Sequence, residues 1–206
     1  HHLYDANETF FREVRRLPAG HGLKQVRGRR EVFRYWDPAP AGKPLRWATA
    51  EEARELPRLL RSACERVMEC ANGRTGILLS GGLDSVSVAA YASDLAAERG
   101  WPRPRAFSVV FPGEGDEESV QKEVAQKLGF PQTLTAIRDF EKGPGLLQRA
   151  LDVAAVCPAP PAFVFAPPFL HLLGEAKTQG CEVVLTGDGG DELLLATPAW
   201  AADLIR

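Results

Sequence analysis

The stretch LLSGGLDSVSVA, residues 78–89, runs from an apolar segment into a helical pattern through the turn SGGLDS, residues 80–85. That turn carries two glycines, two serines and an acid, none of which adds much to a core. Gly81 and Gly82 open backbone conformations closed to other residues and let an anion approach the main chain. Successive N–H groups can then converge on one point, and a following helix adds partial positive charge at its N-terminus. Ser80 and Ser85 supply hydroxyl donors. Asp84 would repel a bare phosphate, so it implies either a magnesium ion or an orienting role in the loop. No GK[ST] follows, which excludes the lysine-bearing P-loop. A tight turn capped by Asp84 and Ser85 is the plain structural alternative; the whole hexapeptide, set between strand and helix, favours phosphate.

Outward from this turn, strand and helix patterns alternate. TGILLS reads as a short apolar strand, followed by a helix from Leu83 to Arg99. RAFSVVF is a second strand, DEESVQKEVAQKLG a helix stopped by Gly129, and QTLTAI a third strand. FEKGPGLLQRALDVAAV contains another helix; the proline-rich CPAPPAFVFAPP leads into FLHLLGEAKTQG, a helix with a glycine stop. CEVVLTG is the fourth strand. Apolar strands alternating with helices imply an α/β fold, a mainly parallel sheet with helices on both faces.

Upstream the texture differs. Residues 1–48 are rich in Arg, Gly and Pro and read as a linker segment with a hairpin, LKQV, turn RGR, then EVFRYW. Residues 49–206 form the α/β domain, opened by a helix that Thr49 caps, with Glu51 and Glu52 in its first turn. Pro57 marks either a kink or a later start, and Leu56, Leu59, Leu60, Ala63 and Val67 fall on one helical face. ATPAWAADLIR begins a further helix, and an ending so soon after a second glycine-rich turn suggests a domain continued beyond it.

With 206 residues, 45% hydrophobic and a net charge of −2, the composition is globular and argues against binding nucleic acid through a strongly basic surface. No apolar run reaches the about 20 residues of a membrane helix, and no signal peptide is evident. Cys64, Cys70, Cys157 and Cys181 make no CxxC pair and read as reduced thiols of a cytoplasmic protein. His21 and His171 stand alone, which disfavours a histidine metal site. Oligomeric state is not legible.

VVLTGDGGDEL, residues 183–193, repeats the strand-turn arrangement. Gly189 and Gly190 free the backbone, and Asp188, Asp191 and Glu192 crowd three carboxylates, which is costly unless a cation or proton relieves them. Magnesium bridging pyrophosphate oxygens would do so; a solvated acidic loop capping a helix is the alternative.

The first turn resembles the SGGxDS signature of the PP-loop ATP pyrophosphatases, which cleave ATP between the α and β phosphates and place AMP on a substrate oxygen. The resemblance implies a five-stranded, mainly parallel sheet between helices. With the second turn, the chain is similar to the synthetase domain of asparagine synthetase-type amide-forming enzymes, which carry G[ED]GxDE there. ETFFREVRRLPAGH with YWDP resembles the segment joining their glutaminase and synthetase halves, and FSVVFPGEGDEESVQKEVAQKLG and FLHLLGEAKTQGCEVVLTGDGGDE match their second strand, acidic loop and approach to the acidic turn. The likeness implies ATP and Mg2+ as cofactors. Leu79 and Val109 would line the adenine pocket, Thr186 and Gly187 would contact the ribose or α-phosphate, and Ser80, Gly81, Gly82, Asp84 and Ser85 would hold pyrophosphate. Asp84 and Asp191 would bind metal, Asp116 and Glu192 would support, and Asp188 would take the position of a glutamate tied to the acyl-adenylate.

Three features depart from that pattern. Asp188 is one methylene shorter than glutamate, ELLLATPAW lacks the usual glycine-tyrosine pair, and neither an N-terminal nucleophilic cysteine nor a lysine after Lys177 is present. The first two point to a divergent branch, such as enzymes closing β-lactam rings or lasso-peptide isopeptide bonds. The third implies that a glutaminase domain or ammonia source lies outside these residues; the altered acidic turn and the missing lysine admit a noncatalytic nucleotide-binding pseudoenzyme as the rival. A tRNA-modifying PP-loop enzyme would show a basic face or reactive cysteines, and neither is evident. The expected chemistry is adenylation of a small-molecule or peptide carboxylate, then attack by ammonia or an amine, with no nucleic-acid or membrane partner.

Overall fold

The computed structural model describes residues 8–9, 11–37, 48–113, 116–157 and 163–190. The ATPAWAADLIR helix, Asp191 and Glu192 lie outside them. The hairpin comprises β1 (His21–Val26) and β2 (Arg29–Arg34), paired antiparallel from His21↔Arg34 to Val26↔Arg29. Its turn is the dipeptide Arg27-Gly28, both at positive φ, as a two-residue connection between right-twisted strands requires.

Helix α1 (Ala50–Cys70) starts where Thr49 predicts. The Thr49 hydroxyl accepts from the Glu52 N–H, and the Glu52 carboxylate accepts from the Thr49 N–H, a complete capping box. The helix runs through Pro57, so a later start is excluded. Its buried stripe is Cys64 and Met68, with Leu60 packed beside them. The expected face is therefore displaced: Leu56, Leu59 and Val67 are exposed. Leu56 and Leu59 stand in the N-terminal half, while the packing falls to the C-terminal half along the Leu60, Cys64 and Met68 stripe that Val67 misses, strapped to the next helix by Arg61–Glu98 and Glu65–Arg99 ion pairs.

Four parallel strands follow among the described residues: β3 (Thr75–Leu78), β4 (Arg105–Val110), β5 (Gln132–Ala136) and β6 (Val183–Leu185), in spatial order β5-β4-β3-β6. The connecting helices are α2 (Leu83–Arg99), α3 (Glu118–Leu128), the short α4 (Arg138–Glu141), α5 (Gly145–Val156) and α6 (Ala166–Thr178). Gly100 and Gly129 end α2 and α3 in the left-handed conformation, which spares a Cβ clash.

The period-two alternation of the strands divides the core in two. Ile77, Leu79 and Ala106 face Cys64, Met68, Ala89, Ala92, Leu95 and Ala125 on α1, α2 and α3. Leu78, Phe107 and Val109 face the opposite side, against Leu146 of α5 and Phe169, Leu172 and Ala176 of α6. Helices thus cover both faces, as expected. Each large side chain buried as fully as Phe107 or Leu172 contributes roughly 1.5–3 kcal/mol.

All four cysteines are free thiols, with Cys64 buried and Cys70 exposed. Desolvation pushes the Cys64 and Cys181 thiols above the ordinary range, for Cys181 against an opposing pull from Arg105. A raised thiol pKa means less thiolate at a given pH. Iodoacetamide at pH 8, followed by peptide mass spectrometry, is expected to label Cys70 first and Cys64 last. In α1, Pro57 has no N–H to offer the Ala53 carbonyl. Pro57→Ala is expected to raise stability by about 1–2 kcal/mol, read from urea midpoints, the gain being reduced by the freer unfolded chain.

Candidate nucleotide site

The strand order fixes where a ligand can sit. From β3 the chain steps to β4 and β5, then crosses to β6 on the other side of β3. The crevice beyond the carboxyl ends of β3 and β6 is therefore the switch point of the sheet, where open α/β folds bind ligands. Both glycine-rich turns leave the sheet there.

The first turn is built for main-chain donation. Gly81 sits at φ +93°, a conformation that strains any residue with a Cβ. Gly82 caps α2 without a side chain, so no cap residue accepts from the first N–H groups of the helix. The turn is braced from within by Ser85, which is 3% exposed. Its hydroxyl accepts from the Ser80 N–H at 3.2 Å, lies 2.9 Å from the Ser80 hydroxyl and donates to the Gly82 carbonyl at 3.1 Å. The exposed Ser80 hydroxyl also accepts from the Gly82 N–H at 3.3 Å.

The second turn packs directly onto the first. A Cβ added to Gly187 would stand 2.7 Å from the Ser85 nitrogen and 3.1 Å from the Asp84 Cβ. One added to Gly190 would fall on the Asp84 carboxylate itself, well inside van der Waals contact. Gly187 is held to glycine by the main chain at Asp84 and Ser85, whereas Gly190 lies against the Asp84 side chain, whose carboxylate would have to move to admit a Cβ. Asp84, Gly187 and Gly190 thus share one small volume at the start of α2. Asp188 projects from the same turn into solvent, its N–H donating to the Thr186 hydroxyl at 3.3 Å.

Other residues singled out in the sequence fall around this centre. The side chains of Leu79 and Val109 are buried in the two core clusters, leaving their main chain at the strand ends. Asp116 is exposed and accepts from the Glu118 N–H at 2.8 Å, ordering the entry to α3. Sequence reasoning missed the first turns of α3: Glu117 and Val120 lie within 3.5 Å of a Cβ built on Gly81, and Gln121 bonds to the root of the loop. An aromatic cluster lies beside the carboxyl end of β4, where Phe111 meets Phe165 edge-on at 5.4 Å and Phe163 meets Phe169 at 5.8 Å. Phe163 and Phe165 belong to the proline-rich stretch, whose apolar content was the available signal.

Among the described residues no three His, Cys, Asp or Glu side chains gather to hold a metal. The Asp84 carboxylate faces the turn that leads to Asp191. The Gly81 N–H and the Ser80 hydroxyl fit a phosphate, and the Asp84 carboxylate fits its counter-ion.

An open, doubly wound parallel sheet with two interlocked glycine-rich turns at its switch point defines an α/β protein of nucleotide-site architecture. The asparagine synthase family model matches residues 55–205, and the chain belongs to that family. An amidase, ChyE, from Penicillium rubens is 29% identical over an alignment of 217 positions that takes in 97% of this chain and 31% of that protein. Asparagine synthetase B (glutamine-hydrolyzing) of Escherichia coli is 31% identical over 136 residues, covering 57% of this chain and 22% of its own. The chain thus spans less than a third of the length of these relatives. Among solved structures, an NH3-dependent NAD synthetase from Campylobacter jejuni aligns with 69% of this chain and 59% of its own, at 14% identity and a TM-score of 0.44.

The Asp84–Gly190 contact makes a prediction independent of activity. Gly190→Ala is expected to destabilise the fold by about 2 kcal/mol by overpacking. In an Asp84→Ala background most of that cost should vanish, giving a coupling of about 1 kcal/mol or more in a denaturant double-mutant cycle. Additive effects would show that Gly190 and Asp84 do not touch.

Proposed function

We propose that the chain is the nucleotide-binding part of an ATP-dependent ligase that forms amides by adenylating a substrate carboxylate. The supporting observation is the interlock of the two turns, which puts the Asp84 carboxylate, the free N-terminus of α2 and the Asp188 turn around one crevice. Residues 49–206 then form the synthetase unit, and residues 1–48 the segment leading into it. Membership of the asparagine synthase family supports this reading, as do the names of the two relatives, an amidase and a glutamine-hydrolyzing asparagine synthetase.

In this mechanism the N–H groups of Gly81 and the first turn of α2 receive the β- and γ-phosphates, with the Ser80 hydroxyl, which accepts from the Gly82 N–H. Ser85, buried, keeps the loop in shape rather than facing the ligand. The carboxylate oxygen of the substrate attacks the α-phosphorus, the bond to the β-phosphate oxygen breaks, and pyrophosphate leaves carrying the electron pair. Donors fixed before reaction stabilise the charge that grows on that leaving group. Asp84, with Asp191, would hold magnesium, which when bound supplies neutralising charge to the phosphate oxygens. Ammonia or an amine then attacks the acyl carbon and AMP departs. Asp188, exposed at the turn, would face the acyl group or the incoming amine. The ammonia source and the acceptor belong to the whole protein. Asp188, standing where the resemblance implies a glutamate, supports a divergent acceptor within the same chemistry.

The test uses the whole protein with ATP carrying 18O in the α–β bridge and a panel of carboxylates. Reversible pyrophosphate formation scrambles that label into non-bridging positions only when a carboxylate substrate is present, and AMP accumulates once ammonium or an amine is added. Asp84→Ala is expected to slow scrambling about 100-fold or more. Release of ADP, or no scrambling with any carboxylate while ATP binds, would overturn the proposal, the latter in favour of a pseudoenzyme.

A further inference from the structure

The carboxyl end of β4 presents a hydrogen-bonding problem that a side chain outside both motifs solves. Along β4, alternate carbonyls point towards β3, and that of Phe107 accepts from the Leu79 N–H at 2.9 Å. Two residues on, the Val109 carbonyl points the same way. By then β3 has ended and the chain has turned into the glycine loop, so no strand is there to donate. The Ser80 carbonyl, at the root of the loop, has likewise left the ladder. Carbonyls at such a buried edge need partners. Both find one donor group: the Gln121 Nε2 amide of α3 donates to the Ser80 carbonyl at 3.1 Å and to the Val109 carbonyl at 3.2 Å.

We infer that Gln121 is a positioning residue for the nucleotide site, a clamp that stands in for the missing continuation of β3 and fixes the glycine loop relative to the end of β4. This rests on the nucleotide reading of the loop. The residue is 3% exposed, and both amide protons go to main-chain acceptors. Its Oε1 is buried without a hydrogen-bond partner. An unpaired buried acceptor is a cost, and its presence shows that the amide is held by its donors. The bond pattern also fixes which end of the amide faces the carbonyls, because only the nitrogen can donate. The clamp spans two residues with expected parts in the site, Ser80 on the phosphates and Val109 near the adenine. Through it the base-binding and phosphate-binding ends keep a constant separation, which lowers the ordering needed on binding.

Three measurements on the chain test this. In wild-type protein the Gln121 side-chain NH2 resonances should be protected from solvent exchange; exchange at the free-amide rate would overturn the clamp. Gln121→Leu, similar in volume but without donors, should raise the Kd for MgATP about tenfold in calorimetry on folded protein. It should also speed backbone hydrogen exchange of residues 80–86 without ATP. Gln121→Glu, which sets a carboxylate against two carbonyl oxygens, should do at least as much. Gln132→Leu serves as the control, since Gln132 donates to the Ser108 hydroxyl within the sheet, away from the loop; it should leave both readouts at wild-type values. A merely structural role for Gln121 would lower the melting temperature and leave Kd and local exchange as in Gln132→Leu, and that result overturns the inference. Failure of the wild-type chain to bind MgATP would overturn the nucleotide reading instead. Localised loss of protection in Gln121→Leu would still support the clamp.

Discussion

The parallel pairing of β3 with β6 is the constraint on which the rest of the molecule depends. Thr75, Gly76 and Ile77 lie opposite Val183, Val184 and Leu185. Neighbouring strands sit about 4.8 Å apart, so whatever follows Leu79 and whatever follows Leu185 must emerge side by side. Both continuations are glycine-rich, and the structure shows why. There is room beside Asp84 and Ser85 for backbone and almost nothing else. A side chain at Gly187 would prise the turns apart or tilt the start of α2, and one at Gly190 would push the Asp84 carboxylate aside.

The rest of the fold holds that pairing in place. The α1–α2 layer, bound by paired Arg and Glu side chains and by the small residues Ala89, Ala92 and Ala96, presses on one face of β3. On the other face Phe107 packs with Leu172 and Val184, so the same cluster carries the strand that bears the second turn. Displacing α6 would therefore reach the candidate site through β6. Close packing transmits such shifts rather than absorbing them.

The order of elements was legible because punctuation and periodicity agree. Gly82 and Gly100 bracket α2, so its span Leu83–Arg99 follows from the sequence alone. The short apolar runs between helices are too brief for anything but buried strands. The face of α1 was not legible. Leu56 and Leu59 satisfy a helical period as well as Cys64 and Met68 do, and which half of a long helix meets the core is decided by neighbours distant in sequence. The Asp84–Gly190 contact escaped for the same reason, although the motifs on each side of it were plain. Gln121 escaped for another. In ESVQKEVAQ it has the look of a solvated helix position, and its partners are carbonyls freed only because β3 stops where it does.

The two acids of the described site are held in opposite ways, and this bears on what each can do under the proposed mechanism. Asp84 is in the first turn of α2 and packed under Gly190, so its carboxylate has little freedom to follow a moving group. A charge fixed in that manner suits the part of a triphosphate whose position must not change, since preorganised charges need no reorganisation during reaction. Asp188 is exposed, and the hydrogen bond described for its turn involves its own N–H, which leaves the side chain directed by length and rotamer alone. With one methylene fewer than glutamate, its carboxylate stays about an ångström closer to the turn, a difference that matters when reacting atoms must align. The acceptor must then approach the turn by that much more, or a bridging water or amine must fill the gap. The shorter acid therefore changes which acceptors fit while leaving the phosphate-holding half of the crevice as it is.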